Sequence, residues 1–351
     1  MNKPPTNDPP TDPPDRYAKQ VRYAPIGAAG QQRLQASRVL VVGCGALGSV
    51  TAETLVRSGV GHVRLVDRDI VELSNLQRQV LYTEADAAAG SPKAIAAAER
   101  LRTINSTITI EPHVADVTHH NLPQLAAGVD LILDGTDNFA TRLLLNDYAH
   151  ATGTPWVYAG VIGAEGRVMP IVPGQTACLA CLMPTLPAPG DTPTCDTAGV
   201  IGPAVNVVAS VAVAEGIKWL VGASAKPLGE LTVLDLWAGV WRRLRVPRAA
   251  DCPVCQQGQY DWLAGRHAAT FTLLCGQGAV QISPAADARP PDLAALRQRL
   301  EPLGEVSGNA FLLRCRFERW PLTLFADGRV IVGGVETEAE ARTVLARCLG
   351  G

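Results

Sequence analysis

An α/β fold is predicted: a doubly wound, Rossmann-like parallel sheet continued by antiparallel strands, with a small α+β module at the C-terminal end. Three observations carry this expectation. Apolar strand-like runs alternate with helix-like stretches over roughly the first 150 residues. The first run, Arg38–Gly43, enters the glycine loop Gly43-Cys44-Gly45-Ala46-Leu47-Gly48. Beyond Pro155 the texture changes, and a strand-like pair flanks Gly163-Ala164-Glu165-Gly166 as a hairpin.

The elements follow in order. The glycine loop turns into a helix reaching about Arg57, ended by Ser58-Gly59-Val60-Gly61, and Val63–Asp67 is the next strand. This is a βαβ unit of the size of a nucleotide-binding half-fold. Ser91 as N-cap and Pro92 at the first helical position start a helix over Lys93–Ile104. Ile108–His113 and Val129–Leu133 are strands, and the loop Asp134–Asn138 leads into another helix. Trp156–Val161 and Arg167–Val172 form the hairpin. A Pro-, Thr- and Asp-rich loop over 184–198 carries Cys195, and Pro203 opens an apolar helix. Leu231–Asp235 and Trp241–Val246 are antiparallel strands, and Cys252–Cys255 closes the region. Thr270–Cys275, Ala279–Ser283, Phe311–Phe317, Leu322–Phe325 and Val330–Val332 are strands, with Asp327-Gly328 as a hairpin turn. Residues 291–302 and Glu336–Leu349 are helices. The expected division is a disordered Pro-rich arm over 1–15, a main domain over 16–258 and an α+β module over 265–351.

Composition narrows the function. The 351 residues are 47% hydrophobic and 18% charged, with a net charge of −2, which suits a globular protein. A near-neutral balance gives no argument for nucleic acid or a membrane surface, and no basic run is interleaved with aromatics. The arm lacks the apolar core of a signal peptide, so a cytoplasmic location is expected. The apolar stretch Val200–Leu220 is broken by Asn206, Ser210, Glu215 and Lys218 and reads as a buried helix rather than a membrane span. Nine cysteines in that setting read as metal ligands, nucleophiles or core fillers.

Gly43, Gly45 and Gly48 permit a tight turn, backbone approach to a phosphate, and close helix–strand packing. Asp67 ends the following strand, where an acid binds ribose hydroxyls. Arg78 and Lys93 are cations suited to the outer phosphates, and Asp137, beyond a strand's carboxyl end, suits Mg²⁺. Each has a plain alternative: a solvated charge, or an N-cap. Cys178/Cys181 and Cys252/Cys255 are two Cys-x-x-Cys pairs, a spacing that suits one structural Cys₄ zinc site; the competing reading is two separate dithiols. Cys195 belongs to neither pair. Cys44 reads as a small filler, and Cys275, Cys315 and Cys348 as core.

From Arg16 to Cys255 the chain resembles the HesA/MoeB/ThiF family of adenylyltransferases, relatives of the ubiquitin-activating enzymes. The matching stretches are Arg16-Tyr17-Ala18-Lys19-Gln20, the glycine loop, Asp67-Arg68-Asp69, Ser74–Gln79, Pro92-Lys93, Thr136-Asp137-Asn138, Cys178-Leu179-Ala180-Cys181, Cys195 with Ala198-Gly199-Val200, and Cys252-Pro253-Val254-Cys255. The resemblance implies a homodimer that uses ATP and Mg²⁺ to adenylate the C-terminal glycine of a ubiquitin-like sulfur carrier ending in Gly-Gly, for thiamine or molybdenum-cofactor biosynthesis or related sulfur transfer. It implies that Gly43, Gly45 and Gly48 line the phosphates and that Asp67 holds the ribose. Asn75, Arg78 and Lys93 then contact the triphosphate, and Asp137 the magnesium. The same stretches add Ala46, Asp69, Gln79 and Asn138 to the nucleotide set. Cys195 is implied as the residue that bonds the activated carrier in some members. Lys19 stands where the family has an arginine that reaches the partner subunit's ATP, and Ala46 where it usually has glycine. Lys keeps the charge but loses the planar fork. The C-terminal module lacks the Cys-centred loop of a rhodanese sulfurtransferase domain.

Adenylation suits these parts. An anionic carboxylate must attack an anionic α-phosphate, so the enzyme needs positive potential and alignment more than a general base. The alternatives are a nicotinamide-dependent oxidoreductase, which would not need Arg78, Lys93, Asp137 or the cysteine pairs, and a non-catalytic nucleotide-binding module.

Overall fold

A computed structural model describes residues 16–184, 198–223, 229–267, 271–274, 278–284 and 288–349. The arm, Cys195, Cys275 and the terminal Gly350-Gly351 lie outside the described residues. Eight strands form the first sheet: β1 Arg38–Val42, β2 His62–Asp67, β3 Thr109–Val114, β4 Leu131–Asp134, β5 Trp156–Ile162, β6 Glu165–Ile171, β7 Glu230–Asp235 and β8 Val240–Arg245. Their order is β3-β2-β1-β4-β5-β6-β7-β8. The strands β1 to β5 pair in parallel and β5 to β8 antiparallel. The connection therefore reverses direction between β1 and β4, and open sheets of this kind leave a crevice there at the strands' carboxyl ends.

The strand β1 shows why the sheet is covered on both sides. Val39 and Val41 enter one core cluster with the helices Ala46–Ser58 and Gly202–Leu220, and Leu40 and Val42 enter another with the helix Phe139–Thr152. A continuous apolar run is what a doubly covered strand requires. Gly202–Leu220 is long and apolar enough to cross a membrane. Here it packs on the helix Ala46–Ser58 and on β5 and β6, burying Ala204, Val205, Val208, Ala209, Ala212 and Val213, so the core accounts for its apolar face.

A second sheet has β9 Phe271–Leu274, β10 Ala279–Ile282, β11 Val306–Gly308, β12 Leu312–Phe317, β13 Trp320–Phe325 and β14 Val330–Gly333, antiparallel in the order β11-β12-β13-β14-β10-β9. Val280, Leu313, Leu322, Leu324 and Val332 form its core with Leu300, Ala341 and Val344 from the helices Leu293–Leu300 and Glu338–Leu349.

Several local expectations shift. Pro92 stands at the N-cap and Lys93 is the first helical residue, so Ser91 does not cap the helix. The Ser91 carbonyl instead accepts from Val71 N–H, which draws it into a bridge beside Ile70 and Pro92. The helices Gly27–Ala36, Glu84–Ala89 and Leu122–Leu125 and the strand β11 were not anticipated. Gly27–Ala36 carries two glycines and no clear apolar stripe, so its pattern is silent.

Gly48 lies in the first helical turn, where a side chain would collide with the Gly43 carbonyl. Replacing Gly48 with alanine should cost about 2–3 kcal/mol by overpacking. Denaturant unfolding checks this: a midpoint equal to wild type would show that the loop relaxes freely.

Candidate functional site

The crevice is built from backbone. Gly43 N–H donates to Val66 O and Gly135 N–H to Val42 O, both at 2.8 Å, which extends the sheet into the loops after β1 and β4. Gly43 has φ +87°, and a Cβ there would stand 2.7 Å from Gly135 O. A side chain at Gly135 would meet Gly43 O and Gly48 Cα. The two loops thus approach closely where the glycines stand. Gly45 precedes the helix, and its added Cβ would meet only Gln79 Nε2 at 3.9 Å. Glycine there keeps the helix N-terminus open to an anion rather than relieving a clash. Ala46 is the first helical residue, so its methyl sits in ordinary helical backbone.

Charged groups converge beside this loop. Asp67, at the end of β2, accepts from Cys44 N–H and from Asp69 N–H, each at 2.6 Å. Burial pushes its carboxyl up to about 6, against the pull of Lys93. Lys93 is buried at the start of its helix; its Nζ is 3.2 Å from Asp69 Oδ2, and its N–H donates to Asp69 O at 2.9 Å. Burial alone would lower the ammonium, but Asp69 and Asp67 outweigh it and hold Lys93 above its ordinary value, with Asp137 adding to them. Lys93 is therefore a cation. The Asp69 carboxyl is pushed up by desolvation, yet Lys93 and Arg68 bring it below its usual range.

Gln79 is buried against the glycine loop, and its Oε1 has no hydrogen-bond partner. Arg78 Nη1 donates to Ser74 O at 3.1 Å. Asn75 is buried in a short 3₁₀ turn, with Oδ1 accepting from Glu72 N–H at 3.0 Å. A cradle that Cβ atoms would fill, an exposed acid at Asp137 and a buried cation together fit a magnesium nucleotide, and the unpartnered Gln79 oxygen can accept from a nucleotide hydroxyl or amine.

Two sequence-selected residues stand elsewhere or are otherwise occupied. Asn138 caps the helix Phe139–Thr152, its Oδ1 accepting from Thr141 N–H at 2.8 Å. Lys19 is exposed, and its neighbour Gln20 donates to Ser58 O, at the far end of the helix Ala46–Ser58. That helix has 13 residues, about 20 Å, so Lys19 is not brought to its own chain's glycine loop.

Three contributors were missed. Tyr82 OH lies 2.6 Å from Cys44 O and 3.3 Å from Lys93 O, tying the loop to the lysine's helix. Asp134 and Arg142 form a buried ion pair at 3.0 Å. Asp134 Oδ1 also accepts from Thr136 N–H and Oγ1, while Arg142 Nη2 donates to Thr136 O and Ala159 O, which fixes the loop carrying Asp137. An arginine on a largely buried helix was the available signal. Cys44 is fully buried and its thiol is pushed up, first by burial and then by Asp67, so it is a filler and not a nucleophile.

The four cysteines of the two pairs converge. Their sulfurs lie within 4.8 Å of one another, with Cys178–Cys252 and Cys181–Cys255 at 3.5 Å and Cys178–Cys181 at 3.8 Å. A tetrahedron with Zn–S bonds of about 2.3 Å has sulfurs about 3.8 Å apart, so the set fits zinc and is far too open for disulfides. Ala249 N–H points to Cys181 Sγ at 3.4 Å, an outer-shell donor of the kind that steadies a thiolate.

The ThiF family model matches residues 17–254. The sulfur carrier protein ThiS adenylyltransferase of Bacillus subtilis is 41% identical over 338 residues, 95% of this chain and 99% of that protein. A match of 338 residues runs past residue 254 into the second sheet. The SAMP-activating enzyme E1 of Haloferax volcanii is 38% identical over 247 residues, 70% of this chain and 90% of its own. Among solved structures, Escherichia coli MccB with ATP aligns at a TM-score of 0.60 and 24% identity, covering 69% of this chain and 75% of that one, which establishes the fold.

The cysteine geometry yields a test. Purified protein should carry about one zinc per chain. Cys252→Ser should lose it and lower the unfolding temperature by several degrees. Full zinc content in that variant would dissolve the four-thiolate site.

Proposed function

The chain belongs to the ThiF family, and on that premise we propose that it adenylates the C-terminal glycine of a ubiquitin-like sulfur carrier, of the ThiS type, at the expense of ATP. The observation that carries the reading is the meeting of the glycine loop, Lys93 and the Asp137 loop at one switch-point crevice, in a chain matching a ThiS adenylyltransferase over nearly its whole length. The carrier's terminal carboxylate attacks the α-phosphorus. The bond from that phosphorus to the bridging oxygen breaks, pyrophosphate leaves with the electron pair, and an acyl adenylate forms.

Each residue then has a task. The backbone around Gly43 and Gly45 faces the phosphates at a helix N-terminus. Lys93 and Arg78 supply fixed positive potential for the leaving pyrophosphate, and a buried cation is already desolvated before the reaction. Asp67 would hold the ribose; with its pKa at about 6 it accepts hydrogen bonds as a carboxylate at neutral pH. Asn75, Gln79 and Asp69 line the triphosphate side. Asp137 would hold magnesium, which neutralises phosphate charge when bound. No side chain serves as general base, because the attacking carboxylate is already ionised. Zinc at Cys178, Cys181, Cys252 and Cys255 would be structural, since four thiolates leave no open position.

The reading extends to a cytoplasmic homodimer, in which Lys19 of one protomer reaches its partner's nucleotide. Its distance from its own loop supports this. A main unit over 16–258 would hold the chemistry and the segment 265–351 would support it. Cys195 is proposed as the thiol that attacks the acyl adenylate, losing its proton, forming a thioester with the carrier's terminal glycine and releasing AMP.

The test is carrier-dependent ATP–pyrophosphate exchange. Arg78→Ala and Asp137→Ala should each lower it by about a hundredfold or more with unfolding curves unchanged. Exchange at the wild-type rate in either variant would remove that residue from the mechanism.

A further inference from the structure

The second sheet reaches the nucleotide site through its buried polar side chains. Among its described residues only Gln281 and Arg329 are buried and polar, at 1% and 2% exposure. Both point away from their own apolar core toward the loops that follow β2 and β3. Gln281 Nε2 donates to Asp116 Oδ2 at 3.3 Å, and Asp116 in turn holds Arg68 Nη1 at 3.0 Å. Arg329, just before β14, donates from Nη2 to Arg68 O at 2.9 Å.

Arg329 is held in place from its own side. Its Nε pairs with Asp327 Oδ2 at 2.6 Å, and its guanidinium lies 4.3 Å from the centre of the Phe325 ring. Its Nη1 is buried without a partner. A buried cation with one carboxylate and an orphaned N–H is costly. Simple packing of two sheets would be served as well by an aliphatic side chain. What distinguishes the arginine is where it grips. The Arg68 carbonyl is one peptide from Asp69, and Asp69 holds Lys93 twice, through its carboxylate at 3.2 Å and its carbonyl at 2.9 Å. The field of Arg329 also falls on the Asp69 carboxylate, beside those of Lys93 and Arg68.

We propose that Arg329 is a positioning residue for the nucleotide site: it clamps the Arg68-Asp69 segment so that Asp69 aims Lys93 at the phosphates. The second sheet is thereby a brace on ATP binding rather than a passive appendage. The inference rests on the adenylation reading for its assay. The clamp acts through the lysine's position and leaves the attacking carboxylate untouched. Because Lys93 meets the phosphates of bound ATP and the departing pyrophosphate alike, loss of the clamp appears in Kd and KM for ATP and also in kcat, with KM for the carrier unchanged.

The experiment measures MgATP binding by calorimetry, and KM for ATP, KM for the carrier and kcat in carrier-dependent exchange. The proteins are wild type, Arg329→Gln, Arg329→Lys and the control Arg319→Ala, an exposed residue in the turn between β12 and β13. Arg329→Gln should raise both Kd and KM for ATP about tenfold, the loss of the charged hydrogen bond to Arg68 O, and lower kcat as well, with KM for the carrier within about twofold. Arg329→Lys should recover most of the affinity, and Arg319→Ala should match wild type. If Arg329→Gln does not fold, the lysine variant carries the test, with an expected rise of about threefold. Kd and KM for ATP within about twofold of wild type in the folded Arg329 variants would overturn the clamp. So would equal losses for ATP and carrier that Arg319→Ala reproduces. A wild-type protein that binds MgATP but supports no exchange would instead sink the adenylation reading, and the calorimetric comparison would still decide the clamp.

Discussion

Gly43, Gly48 and Gly135 bring the loops after β1 and β4 and the first turn of the following helix into backbone contact, and the place of the candidate site follows from that contact. A side chain at Gly43 or Gly135 would hold the two loops apart, and one at Gly48 would push the helix off Gly43. With them together, the helix N-terminus, the end of β2 and the Asp137 loop open onto one crevice. The sheet order supplies the crevice, and the glycines set how closely its walls approach.

Electrostatics then fills the frame. Lys93 stays charged though buried because Asp69 and Asp67 stand against it, and Asp67 is partly offset by backbone N–H groups from Cys44 and Asp69. One ion pair, Asp134–Arg142, is buried on both sides and fixes the loop that presents Asp137. Buried pairs of this sort are a poor source of net stability, because desolvation consumes most of the Coulombic gain. Their value here is geometric. They hold charges still in a place of low dielectric, which electrostatic catalysis requires.

The cysteine cluster and the second sheet act at a distance from the chemistry. The first joins the segment after β6 to the segment after β8, binding the antiparallel half of the large sheet to itself. The second presses its buried polar residues on the loops after β2 and β3. Both add structure that a bare nucleotide-binding half-fold lacks.

Features whose signal is local were legible in the sequence. The glycine loop, the strand–helix alternation, the two Cys-x-x-Cys pairs and the Lys93–Ile104 helix each declare themselves within a dozen residues, because spacing and periodicity along the chain produce them. The pairings were not legible. Nothing along the chain joins Tyr82 to Cys44, Gly135 to Gly43, Lys93 to Asp69 or Arg329 to Arg68. Asn138, implied in the nucleotide set, caps the next helix through its oxygen, and Lys19, implied to reach the partner subunit's nucleotide, lies a helix-length from its own chain's loop. The sequence by itself thus determined which elements form and which chemical groups are present. Only the tertiary structure decided which groups meet, since contact depends on strand order and packing between segments far apart in the chain.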